Sequence, residues 1–170
     1  MAIVKATYTK SRDAAKATIR YIQHRPGRDG ERTARTLFTS DGAMEREEAY
    51  RMIDEAKKGS IYFRFAVSPD PRLEDHQWDL DMRAMTQTTM QTLEDRLQKP
   101  LSWLAVEHAD HTSHRHVHVL AVVPKRLFPQ DLQSLRQSAT TACLEQRREL
   151  DQVWQQREQE REEAMWGLWF

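Results

Sequence analysis

Residues 101–123 read LSWLAVEHADHTSHRHVHVLAVV. Two runs in this stretch, 101–108 and 115–123, are rich in Val, Leu and Trp, and a short polar loop separates them. That pattern predicts two neighbouring antiparallel strands. Five of the chain's seven histidines fall within residues 107–118. Side chains alternate between the faces of a strand, so His116 and His118 share one face while Val117 and Val119 point to the other. Two imidazoles about 7 Å apart along a strand converge on an ion if a third arrives from the next strand. His108 ends the neighbouring run and is the expected third ligand. Three imidazoles suit a divalent metal and leave coordination positions open for a phosphate oxygen. The competing reading is a hairpin that is merely polar, and the density of histidines weighs against it. His111 and His114, in the connecting loop, are expected beside the ligands or facing a substrate. Glu107 and Asp110 flank His108, and either could receive its second ring N–H. Asp110 could instead act as a base, or simply make an Asx turn.

Working outward, residues 2–9 (AIVKATYT) and 60–68 (SIYFRFAVS) are β-branched and aromatic enough to be strands, the second stopped by Pro69 and Pro71. Ser11 can cap a helix that runs to about Arg25, where Pro26-Gly27 and Asp29-Gly30 break it. Its apolar stripe is Ala15, Ile19 and Ile22. Residues 35–40 predict a short strand before an Asp41-Gly42 turn, and 43–58, 74–98 and 130–164 predict helices. The order of elements predicts an α+β fold: a mostly antiparallel sheet with flanking helices, of ferredoxin-like or split-βαβ type. A core is expected over residues 1–128, with residues 129–170 forming a C-terminal helix and an apolar tail that packs on the core or extends from it. The closing WGLWF could fold back, pair two chains or mark the start of another domain.

The 170 residues are 39% hydrophobic and 31% charged, with a formal net charge of zero, so the overall field points to no polyanionic partner. Residues 1–40, however, hold nine Lys and Arg against three acids. This end is either a phosphate-binding surface or a set of solvated charges. A single cysteine, Cys143, excludes disulfides and cysteine-zinc sites within one chain and suggests a reducing compartment. Lacking a membrane-length apolar run or a signal-peptide pattern, the chain is expected in the cytoplasm, without membrane insertion.

The run His108-x-Asp110-(x5)-His116-Val117-His118 resembles the metal motif of the HUH endonucleases. The upstream His-x-Asp is similar to that of the relaxases, which mobilise plasmids and integrative elements. Arg20-Tyr21-Ile22 resembles the relaxase nucleophile helix, Ser68-Pro69 a second motif, and Trp103 to Glu107 the strand entering the metal loop. The similarity covers most of residues 1–125. It departs at Arg115, where proline often precedes the paired histidines. Relaxases also commonly carry a large C-terminal domain, and a sequence ending at Phe170 is either a small form or a nuclease fragment. Tyr8, Tyr21, Tyr50 and Tyr62 all precede His108, which is the relaxase order.

The resemblance implies an HUH-type fold and a metal-dependent endonuclease that nicks single-stranded DNA at an origin of transfer through a 5′-phosphotyrosine. Mg2+ or Mn2+ would be the cofactor, and accessory or coupling proteins the further partners. Tyr21 lies about 120° around its helix from the apolar stripe, so the core does not need it, and it is the expected nucleophile. His24, one turn on, is its rival. Arg20, His24, Arg25, Arg28, Arg32 and Arg35 surround Tyr21 and are expected to contact the DNA backbone. Two other readings stay open: a tri-histidine hydrolase using metal-activated water, and an origin-binding module without chemistry.

Overall fold

The computed structural model describes residues 1–110 and 112–168. The elements are β1 (Ile3–Thr9), α1 (Arg12–His24), β2 (Leu37–Thr39), β3 (Gly42–Met44), α2 (Arg46–Asp54), β4 (Ile61–Ser68), α3 (Met82–Leu97), β5 (Ser102–His108), β6 (His116–Val123) and α4 (Pro129–Gly167). The strands form one six-stranded sheet in the order β1-β4-β6-β5-β2-β3, antiparallel at every pairing. The fold is the α+β arrangement expected from the order of elements. Because β6 lies between β4 and β5, those two run parallel, and α3 joins them in a split βαβ unit.

Alternation along the strands gives the sheet two apolar faces. Phe63, Phe65, Val117, Val119 and Ala121 face α3 and the first half of α4, whereas Tyr62, Leu104, Val106 and Leu120 face α1 and α2. The Ala15/Ile19/Ile22 stripe of α1 is fully buried on that second face. Ser11 caps α1 by accepting from the Ala14 N–H.

Two differences from the sequence-based expectation are local. Residues 42–44 form β3 instead of starting a helix, with Gly42 at φ +118°, a conformation side chains disfavour. The helix expected from residue 74 starts only at Met82, since Asp81 caps it. The acids before it bind elsewhere: Asp75 pairs with Arg115, and Glu74 accepts from the Asp70 N–H. Leu150 is the last residue of α4 to pack on the core; beyond Asp151 the helix is exposed, Trp166 and Leu168 included. No helix among the described residues is long and apolar enough to cross a membrane.

Candidate metal centre

The β5–β6 register sets His108 directly across from His116 and Val106 across from His118. His108, Val106 and Leu104 share a face, and so do His116, His118 and Leu120. This is the face that α1 covers. The three rings stand in a near-equilateral triangle, with centroids 5.2, 4.8 and 5.0 Å apart. One nitrogen from each lies within 4.8 Å of the other two. Nitrogens each about 2.1 Å from a tetrahedral ion sit about 3.4 Å apart, so ring rotations of about an ångström would close the set.

All three histidines are buried, and His108 Nδ1 and both ring nitrogens of His118 have no hydrogen-bond partner among the described residues. A buried polar atom left unpaired costs about 1–3 kcal/mol, which a bound ion would recover. Burial pushes the His108 imidazolium down to about pKa 4, helped by the Arg35 and His116 charges and opposed by the Ile22 carbonyl. Burial likewise pushes His118 down to about 3, with charge at His108 and His116 adding to it. Both rings are therefore neutral near pH 7, the form that ligates a metal. The donor set fits a divalent ion.

The second ring nitrogen of His108 donates to the main-chain carbonyl of Ile22 at 2.7 Å, and not to Glu107 or Asp110. Those acids are engaged elsewhere. Glu107 receives Arg115 Nη1 at 3.2 Å. Asp110 takes Arg35 Nη2 on both oxygens, at 2.8 and 2.9 Å, and the Arg35 hydrogen bonds hold its carboxyl below the usual range. The Arg35 side chain is only 8% exposed, and its Nη1 also donates to the Arg25 carbonyl at 2.7 Å, so it clamps loop to loop. The 26–31 turn presses on the same loop. Arg28 N–H donates to the Asp110 carbonyl at 2.7 Å, and a Cβ on Gly27 would come within 3.3 Å of Asp110 Oδ2.

Tyr21, on the next residue to the His108-bound carbonyl, is 48% exposed, and the Arg25 guanidinium lies 5.5 Å from its ring centroid. Arg25 is also close enough to His118 to disfavour its protonation, which links α1 to the triad. His24 is drawn away: its Nε2 accepts from Arg46 Nη2 at 2.8 Å. Arg20 is exposed and reaches the Tyr50 hydroxyl, and Arg28 and Arg32 are exposed. His114 is half-buried, its ring centroid 6.1 Å from that of His116. His111 lies outside the described residues.

Sequence reasoning missed two groups. Arg64 projects on the histidine face of β4 and bears electrostatically on His118; the lone cation in the run IYFRFAVS was its signal. Arg115, which stands where relaxases often carry proline, makes a bidentate pair with the buried Asp75 at 2.9 and 2.7 Å and donates to the Leu80 carbonyl. It fastens the start of β6 to the 70–80 turns. Nothing local in the sequence identifies that partner.

No protein-family model matches the chain, and neither the curated proteins nor the solved structures give a match.

Proposed function

We propose that the protein is a metal-dependent endonuclease and strand transferase acting on single-stranded DNA, with Tyr21 as nucleophile, in the manner of a relaxase at an origin of transfer. The observation that carries this reading is the contact between the buried imidazole triad and α1. The His108–Ile22 bond holds against the metal ligands the turn of helix that bears Tyr21.

In the proposed step, the Tyr21 oxygen forms a bond to phosphorus as the bond to the 3′ oxygen breaks. The phenol gives up a proton, and the departing 3′ oxygen gains one. One phosphodiester is exchanged for another, so the strand can be rejoined, which transfer requires. A bound divalent ion would draw charge from a phosphate oxygen and stabilise the transition state. Arg25 and Arg64 add positive charge beside it, and buried walls keep the field strong. A cluster of three imidazoles, with no carboxylate joining it among the described residues, favours a transition metal such as Mn2+ over Mg2+.

The test is a labelled single-stranded oligonucleotide incubated with protein and Mn2+. A species shifted on a denaturing gel by the mass of the 3′ fragment, mapped by peptide mass spectrometry to Tyr21 and absent in Tyr21→Phe, is the expected result. Cleavage without any adduct would assign the attack to water, and metal-independent binding without cleavage would leave a binding module.

A further inference from the structure

The end of the sheet opposite the histidines is basic in a way that the metal site does not use. Lys57, Lys58, Gly59 and Ser60 make the turn into β4. A depression of about 390 Å³ beside this turn is lined by Lys10, Arg12, Lys57 and Lys58, with no acid among the described residues around it. A second depression at the same turn adds Lys99, together with one acid, Glu55. All four cations of the first depression are exposed. Arg12 is steadied there by donating to the Ala56 carbonyl at 2.8 Å. In a chain of zero net charge this is a local concentration, balanced by the acid-rich exposed end of α4.

An open strip of sheet joins this end to the triad. On the edge strand β1, Lys5 and Thr7 face the α1 side, are exposed, and pair in register with Ala66 and Arg64 of β4. Ala66 in turn lies opposite His118. Further along the same strip, Thr9 pairs with Tyr62, which lines the basic depression. The four residue steps from Ala66 to Tyr62 span about 14 Å, a few nucleotides. The strip carries cations, hydroxyls and a methyl group and no acid.

The geometry points to Lys10, Arg12, Lys57 and Lys58 as a second phosphate-binding site, which grips the backbone of a single DNA strand a few nucleotides from the phosphate held at the histidines. Clustered, solvated ammonium groups bind phosphate in a salt-sensitive way that reads no sequence. Lys5 and Arg64 would lead the strand between the two sites. This inference rests on the DNA reading of the histidine centre and adds to it where the strand travels.

The experiment compares wild type with Lys10→Ala/Lys57→Glu/Lys58→Glu in chelator, by fluorescence anisotropy across a salt series, using a long and a short oligothymidylate. Because the three side chains are exposed, the thermal midpoint should not move, and circular dichroism checks this. The long strand should bind the variant at least about tenfold more weakly, with a salt slope smaller by about 0.7 for each phosphate that the variant no longer neutralises. The short strand, which cannot span both sites, should be weakened far less. An unchanged affinity and slope for the long strand would overturn the site, as would wild-type binding to anionic vesicles without binding to the oligonucleotide. A Tyr21 adduct that forms normally in the charge variant at limiting DNA would overturn this site but leave the proposed activity standing. Weakened strand binding in the variant, with no adduct in wild type, would do the reverse.

Discussion

The ring of His108 is tied to the main chain of Ile22: Nε2 donates to the Ile22 carbonyl across 2.7 Å, a bond between residues 86 apart in the chain. A carbonyl can only accept, so Nε2 carries the proton and Nδ1 is left with its lone pair free for an ion. One bond therefore sets the tautomer of a candidate ligand and locates α1 over the site. Since the acceptor is backbone, no substitution at Ile22 deletes it without moving the helix.

Removal of one imidazole should remove the metal. Outer partners of a metal ligand are each worth about 10–100-fold in affinity, and a ligand should be worth more. In calorimetry with Mn2+ or Zn2+, His108→Ala, His116→Ala and His118→Ala should each lower affinity by more than about 100-fold, and His114→Ala by much less. Undiminished affinity in both His116→Ala and His118→Ala would remove the basis of the centre.

The pH dependence has a definite sign. An unfolded histidine titrates near 6.5, while His108 and His118 in the folded chain are pushed down to about 4 and about 3. Between those values the unfolded state binds more protons, so metal-free stability is full above pH 6.5 and is lost as pH falls through 4 toward 3. The urea midpoint of the metal-free protein should drop from pH 6.5 to 4, and His118→Leu should flatten that drop, which separates the histidine share from any other. For the same reason protons compete weakly in the folded state, so metal affinity should hold down to about pH 5. Loss of affinity centred on pH 6.5 would mean solvated histidines.

Asp110 should behave as a clamp. Its carboxylate is committed to Arg35 through two short hydrogen bonds. Asp110→Asn weakens a charge-assisted bond and should cost about 1–2 kcal/mol of stability, leaving adduct formation within about tenfold of wild type. A fall in rate of more than about 100-fold at unchanged metal affinity would instead identify Asp110 as the general base.

His24→Ala should retain the covalent adduct, because His24 Nε2 already accepts from Arg46. An adduct that maps to His24 in wild-type protein would transfer the nucleophile one turn along α1.

Arg115 and Asp75 are both nearly buried, their side chains 11% and 4% exposed. Arg115→Met strands a buried carboxylate, at a cost of about 3–5 kcal/mol in urea unfolding. Arg115→Met/Asp75→Leu should recover much of that. A single-variant cost below about 1 kcal/mol would show that the pair does not hold β6 in place.

Much of this protein was legible in one dimension because the relevant patterns are local. Period-two alternation put His116 and His118 on one face, and period 3.6 put Ala15, Ile19 and Ile22 on another element's buried stripe, since side-chain direction in a strand or helix follows from spacing alone. The antiparallel sheet with its helices, and a three-histidine cluster able to take an ion, followed from those patterns. What the tertiary structure decided was the allocation of charged and polar partners. Arg35, expected on DNA, is folded against Asp110; Glu107, expected behind His108, is taken by Arg115; and the carbonyl that fixes His108 belongs to α1. Hydrogen bonds and ion pairs are satisfied by whichever group the packing brings within about 3 Å, and residues 35 and 110, or 75 and 115, meet only after the sheet has closed. Spacing along the chain holds no record of those meetings.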